Sequence, residues 1–219
     1  MSVEREFAIA IVGGTGNLGT ALALRLAAPG VKVIIGSRDP EKARAVVDSL
    51  RPRIAHGMIE GYANQEAVQQ AEFVVIAVPY EGHATMVAAL KGQLGGKTVI
   101  DAVVPLNKGR PFVPAAGSAL REAQEILGGE APVIGALHNI SAVDLQDPAS
   151  SLGDVLVCGD DAGAKKNVME LIRRIGARTF DAGPASHAYV IEGLTGVLIY
   201  LNRKHKSKHA SVRITGIGE

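Results

Sequence analysis

Ala8–Ile9–Ala10–Ile11–Val12–Gly13–Gly14–Thr15–Gly16–Asn17–Leu18–Gly19 is the stretch that decides the fold of this chain. Five apolar residues run without a polar break into a glycine cluster, and a helix-forming segment follows. The pattern is a buried strand, a tight turn and a helix start. Gly14, Gly16 and Gly19 satisfy G-x-G-x-x-G. In that spacing the first glycine permits the turn, the second lets backbone approach a pyrophosphate, and the third lets the helix pack close to the strand. Asn17 and Leu18 open the helix, where backbone N–H groups and the helix dipole make an anion site, and Thr15 adds a hydroxyl. A dinucleotide cradle is therefore expected.

The next strand ends Ile34–Ile35–Gly36–Ser37–Arg38. Arg38 comes about twenty residues past the last glycine, within reach of the adenosine ribose. Its planar, permanently charged fork suits a phosphate. Ser37 offers a hydroxyl, and Lys42, one helical turn further on, a point charge. Asp39 is an alternative ribose ligand, but it precedes Pro40 as a helix N-cap would. These residues favour NADP over NAD.

Outward from this segment, strand-like runs near 7–12, 31–35, 57–61, 73–78, 97–101, 132–137, 154–158 and 178–181 alternate with helix-like stretches near 17–28, 40–50, 64–71, 82–91, 115–127, 162–175 and 187–202. Alternation of this kind predicts an α/β fold, a Rossmann-like doubly wound parallel sheet with a smaller C-terminal α/β lobe. The expected division is 1–135 for the NADP-binding part and 136–219 for the smaller lobe, with the Pro- and Gly-rich segment Val104–Gly117 as the crossing loop. Pro29–Gly30 should stop the first helix. Apolar residues make up 47% of the 219, enough for a sheet buried on both faces. A formal net charge of +1 argues against a general nucleic-acid binder. The polar start Ser2–Val3–Glu4–Arg5–Glu6 and the short apolar run after it resemble neither a signal peptide nor a membrane span, so a cytoplasmic protein is expected. The lone Cys158, in a strand setting, is expected to be a buried thiol, with no cysteine metal cluster.

Other positions carry weaker signals. The fourth strand ends Ile76–Ala77–Val78–Pro79–Tyr80, where Pro79 closes the strand. Val78 and Pro79 stand where a nicotinamide would be walled, and Tyr80 is either a ring contact or a surface aromatic. His138 follows another strand at the same sheet edge and either faces an acceptor or caps the strand end. Asp160–Asp161 precede a helix and are expected to cap it. Tyr200 and Lys204 match Y-x-x-x-K, but only 15 residues of this sequence follow Lys204, too few for the strands and substrate region which that dehydrogenase pattern needs. Val190, Ile191, Leu194, Val197, Leu198 and Leu201 form one apolar stripe, core or subunit interface, and predict a homodimer. Arg203, Lys204, Lys206, Lys208 and Arg213 make a basic tail suited to an acidic ligand.

The segments IVGGTGNLGTALALRLA (11–27), VIIGSRDPEKA (33–43), IAVPYEGH (76–83), GALHNI (135–140), VCGDDAGAKKNVMELI (157–172), DAGPASHAYVIEGLT (181–195) and RITGI (213–217) together resemble the NADPH:coenzyme F-420 oxidoreductase family. The resemblance implies reversible hydride transfer between NADP(H) and the 5-deazaflavin coenzyme F-420, both small-molecule redox cofactors. It implies that Thr15, Ser37, Arg38 and Lys42 hold the NADP phosphates. Val78 and Pro79 would lie by the nicotinamide, and His138 and Ile140 by the deazaflavin. No residue is expected to act as an obligatory catalyst and no metal is expected, because two stacked rings need alignment and exclusion of water more than a nucleophile. Two other readings remain open at this point: an NADPH-dependent reductase of a flavin, a chelated metal or a small imine or ketone, and a non-catalytic NADP-binding module.

Overall fold

The computed structural model describes residues 7–27, 31–55 and 57–217. In chain order the elements are β1 (Phe7–Val12), α1 (Asn17–Leu26), β2 (Val31–Ser37), α2 (Pro40–Leu50), β3 (Met58–Ala63), α3 (Asn64–Gln69), β4 (Phe73–Ile76), α4 (His83–Leu90) and β5 (Thr98–Asp101). A short hairpin, β6 (Leu106–Asn107) and β7 (Arg110–Pro111), precedes α5 (Ala119–Leu127) and β8 (Val133–Gly135). The remainder is α6 (Ala142–Gln146), β9 (Val155–Val157), α7 (Ala162–Arg173), β10 (Thr179–Asp181) and α8 (Ala188–His205). Pro29–Gly30 lies outside the described residues.

Six strands form one parallel sheet in the order β3-β2-β1-β4-β5-β8. The strand order reverses beside β1, so the crevice at the carboxyl ends of β1 and β4 is where such sheets take ligands. Successive side chains point to opposite faces. Ile9 and Ile11 therefore join one buried layer with Leu22, Val33 and Ile35, while Ala10 and Val12 join the other with Ile34, Val74 and Ile76. Each fully buried aliphatic side chain of this kind contributes about 1.5–3 kcal/mol.

The C-terminal part is joined to this sheet by hydrogen bonds. Gly135 N–H donates to the Cys158 carbonyl at 2.8 Å and Cys158 N–H to the Gly135 carbonyl at 2.9 Å, an antiparallel bridge that adds β9 to the edge at β8. β10 then pairs parallel with β9. A Cβ on Gly135 would meet Leu120 Cδ1 at 2.8 Å and Cys158 Sγ at 2.9 Å, so only glycine fits there. Cys158 is fully buried, and burial pushes its thiol up to about 12, which rules out a thiolate nucleophile.

Segment 104–117 differs from expectation. It is a hairpin rather than a crossing loop: β7 folds back so that Pro111 packs on Gly196 of α8, and the chain then returns through α5 to the same sheet. The expected helix over 115–127 starts at Ala119, because Ser118 caps it by accepting from Arg121 N–H. The apolar stripe on α8 splits. Ile191 and Leu198 are buried, whereas Val190, Val197 and Leu201 are exposed. The basic tail is pinned. Asp154 N–H donates to the Val212 carbonyl at 2.8 Å, and its carboxylate receives Ile214 N–H at 2.5 Å and Arg178 at 2.9 and 3.0 Å. His209 lies 2.5 Å from Asp144, and Arg213 3.8 Å from Asp154.

Candidate active site

The cradle is built from three close approaches. Gly13 takes φ +75°, so the left-handed turn residue is Gly13 rather than Gly14. A Cβ on Gly13 would lie 2.7 Å from Val78 Cγ1, and one on Gly14 2.7 Å from the Ile11 carbonyl oxygen. A Cβ on Gly19 would lie 2.6 Å from Gly14 Cα, which is how α1 sits so near the strand. Gly16 is different. It is exposed, and the nearest atom a Cβ would meet is 3.5 Å away. Gly16 and Asn17 present open backbone at the start of α1, whose N-cap has no side-chain partner and whose first turn carries no acid. That is the concavity a pyrophosphate needs, and it fits a dinucleotide. Thr15 and Leu18 flank it, half-buried.

At the end of β2, Ser37 is buried, and its Oγ accepts from Asp39 N–H at 3.2 Å, leaving the hydroxyl hydrogen to donate. Asp39 caps α2, its Oδ1 accepting from Glu41 N–H at 3.0 Å and Lys42 N–H at 3.4 Å, so capping occupies the carboxylate that an NAD enzyme would turn to the ribose. Arg38 and Lys42 are exposed beside it. Among the described residues neither has an ion-pair partner, which leaves both cations available to a phosphate.

The contact between Gly13 and Val78 joins the glycine turn to the end of β4. Pro79 is exposed and begins a one-turn helix, Tyr80–Gly82. Tyr80 is half-buried rather than a surface aromatic. Its hydroxyl donates to Glu122 at 3.0 Å, and its ring packs edge-on against Phe112.

Across the crevice, His138 follows β8 at the carboxyl edge and is 4% exposed. Its carbonyl accepts from the Thr195 hydroxyl at 2.8 Å, but neither ring nitrogen has a hydrogen-bond partner, and burial pushes the ring down to about 4. It is a neutral imidazole. It lines a cavity of about 250 Å³ together with Ile140, Thr195, Asn202 and Lys208. Both ring nitrogens are closed off from solvent and the ring's Cε1 lies near Gly135, so His138 lines the cavity without presenting either nitrogen to it. Asn139 is structural, donating to the Asp154 carbonyl at 2.6 Å, and Ser141 caps α6. Asp161 caps α7, whereas Asp160 accepts instead from Ala185 N–H at 2.9 Å.

One group of side chains has no counterpart in the sequence reading. His83, the first residue of α4, is fully buried, with Nδ1 2.6 Å from Glu122 and Nε2 2.8 Å from Asp101. Burial alone would lower its pKa, yet the bonds and charges of Asp101 and then Glu122 outweigh that and raise it to about 9. Glu192, on the buried face of α8, accepts from Ala119 and Leu120 N–H, and burial pushes it up to about 8. The available signal was an acid inside each apolar run: Asp101 ending Thr98–Val99–Ile100, and Glu192 after Val190–Ile191.

A family described as NADP oxidoreductase coenzyme F420-dependent matches residues 8–105. The F420-dependent NADP reductase of Methanocaldococcus jannaschii is 38% identical over 95% of this chain and 98% of its own length. The chain belongs to the F420-dependent NADP reductase family. The crystal structure of a putative F420-dependent NADP reductase from Arthrobacter sp. superposes with a TM-score of 0.82 at 28% identity, covering 96% of this chain and all of that one. The metalloreductase STEAP3 of Rattus norvegicus is 31% identical over 83% of this chain, which corresponds to 35% of its own length.

Proposed function

We propose that this chain is an NADP-dependent oxidoreductase that transfers a hydride reversibly between NADP(H) and the 5-deazaflavin coenzyme F-420. The observation that carries the reading is the match to the archaeal reductase over 95% of the chain, which extends past the cradle through the segments lining the His138 cavity. When both are bound, NADPH would supply a hydride from C4 of its nicotinamide to C5 of the deazaflavin, with the proton that completes the reduction taken from solvent. The protein's part is to bind, orient and keep water out. Gly14, Thr15, Gly16, Asn17, Leu18 and Gly19 hold the pyrophosphate, and Ser37, Arg38 and Lys42 hold the 2′-phosphate. Val78 and Pro79 wall the nicotinamide, and His138 and Ile140 face the deazaflavin. No side chain acts as acid, base or nucleophile.

Residues 1–135 form the NADP half of this arrangement and 136–219 the half that completes the acceptor site. Exposed Tyr189, Val190, Val197, Tyr200 and Leu201 on α8 favour a homodimer through that helix. Among the described residues no helix is long and apolar enough to cross a membrane. The reading takes the protein as cytoplasmic, with small redox cofactors as partners and no nucleic acid. Lys206 and Lys208, exposed beyond α8, face the acidic side chain of F-420. Replacing both with Ala should weaken F-420 binding, and unchanged affinity would remove the tail from the site.

The direct test mixes the protein with NADPH and oxidised F-420 and follows loss of the deazaflavin's visible absorbance, with a flavin and a chelated ferric salt as controls. Turnover with F-420 is expected. Turnover with a control acceptor alone would favour the other-acceptor reading, and tight NADPH binding without any turnover a non-catalytic module.

A further inference from the structure

Glu122 touches both ends of one turn. One carboxylate oxygen accepts from the Tyr80 hydroxyl at 3.0 Å and the other meets His83 Nδ1 at 2.6 Å. Between those two residues runs the one-turn helix Tyr80–Gly82, closed by Gly82 N–H donating to the Pro79 carbonyl at 2.9 Å. On its other side His83 is held by Asp101, the last residue of β5, whose second oxygen accepts from Val103 N–H at 2.9 Å. Ionised carboxylates only accept, so both ring nitrogens of His83 donate and the ring is an imidazolium between two anions. The turn is thereby fastened to β5 and α5 at the point where the chain leaves Val78, whose Cγ1 lies against Gly13.

We propose that Glu122 and Asp101, acting through a protonated His83, are positioning residues that hold the Pro79–Gly82 turn, and with it the Val78 wall, in place for the nicotinamide. The proposal rests on the reading that Val78 and Pro79 line that ring. None of the three side chains touches the reacting atoms; their effect is on how firmly the nicotinamide half of the cofactor is held. When the ring loses its proton it keeps a single N–H for two carboxylates, and one fastening of the turn is lost. The charged or titratable groups around His83 are Asp101 from β5, Glu122 from α5, Glu192 from α8 and Tyr80 from the turn, and His138 after β8 lies within the field of Asp101. Asp101 and Glu122 favour the charged ring, and Glu192, pushed up to about 8 by burial, adds to them only once it ionises. Tyr80 stays neutral because burial and Glu122 push it up to about 12.

The test measures dissociation constants for NADPH and for 2′,5′-ADP, which lacks the nicotinamide, between about pH 7.5 and 10, alongside NMR titration of the His83 ring in the ligand-free protein. NADPH affinity should weaken about five-fold, the scale of one hydrogen bond, in step with the ring titration, while 2′,5′-ADP affinity stays level. In Glu122→Gln the ring titration and the NADPH break should move down together by about one pH unit. Tyr80→Phe, which removes one fastening and keeps the ring packing, should weaken NADPH a few-fold and leave 2′,5′-ADP unchanged. NADPH affinity that stays level through the His83 titration, or a break that stays put when the ring titration moves, would overturn the positioning role. Failure of the unaltered protein to bind either ligand would instead overturn the dinucleotide reading beneath it.

Discussion

His83 and His138 are both buried, 0% and 4% exposed, and the protein treats them in opposite ways. His83 has a carboxylate on each ring nitrogen and is held protonated up to about 9. His138 has no partner on either nitrogen and stays neutral down to about 4. Depth of burial is shared, so it does not set the charge; the neighbours do. The difference also separates their tasks. The charged ring ties β5, α5 and the Tyr80–Gly82 turn together, and the neutral ring is packed beside the cavity at α8 with both nitrogens buried.

The strongest way to break this comparison is to remove the charged ring. His83→Leu leaves the fully buried Asp101 and the half-buried Glu122 without their counter-charge and should cost about 3 kcal/mol of stability, read from urea unfolding at pH 7. A much smaller loss would mean that one of the carboxyls is already protonated. Smaller effects come from pH. A folded-state pKa raised above the unfolded value of about 6.5 gives stability that is full below 6.5 and is lost as pH rises through about 9, which is the case of His83. For His138 the sign reverses: its contribution is full above the unfolded value and is lost as pH falls through about 4. Urea midpoints across pH should therefore show a shallower acid-side decline in His138→Leu, while at pH 7 that variant loses less than about 1.5 kcal/mol. The smallest stability effect belongs to the cofactor edge. Arg38→Ala should change stability by no more than about 0.5 kcal/mol, yet weaken NADPH by about ten-fold or more with little change for NADH, as calorimetric titration would show.

What could be read from sequence follows from how far apart the cooperating residues lie. The cradle from β1 to α1 is local, and the spacing of Gly14, Gly16 and Gly19 carries it without any knowledge of tertiary contacts. Asp39 as a cap and Cys158 as a buried thiol were legible for the same reason, each being decided by its immediate neighbours. The left-handed residue was harder, because what singles out Gly13 is contact with Val78, just past the end of β4. The His83 cluster was beyond reach. It joins positions 18 and 39 residues away, which only the pairing of Ile76 with Asp101 and the packing of α5 bring together. What fastens the basic tail was not local either, since the Asp154 that holds it lies 60 residues from Ile214. On α8 the period of the apolar residues was visible, but which of them the hairpin and sheet would cover was not.

Direct transfer between two rings held face to face is the central claim, and isotope labelling tests it without reference to rate. NADPH carrying deuterium at C4, on the transferred face, should deliver that deuterium to C5 of the reduced deazaflavin during a single turnover in ordinary water. Hydrogen from solvent at C5, with deuterium released to water, would contradict the account by requiring an exchanging group between the two cofactors.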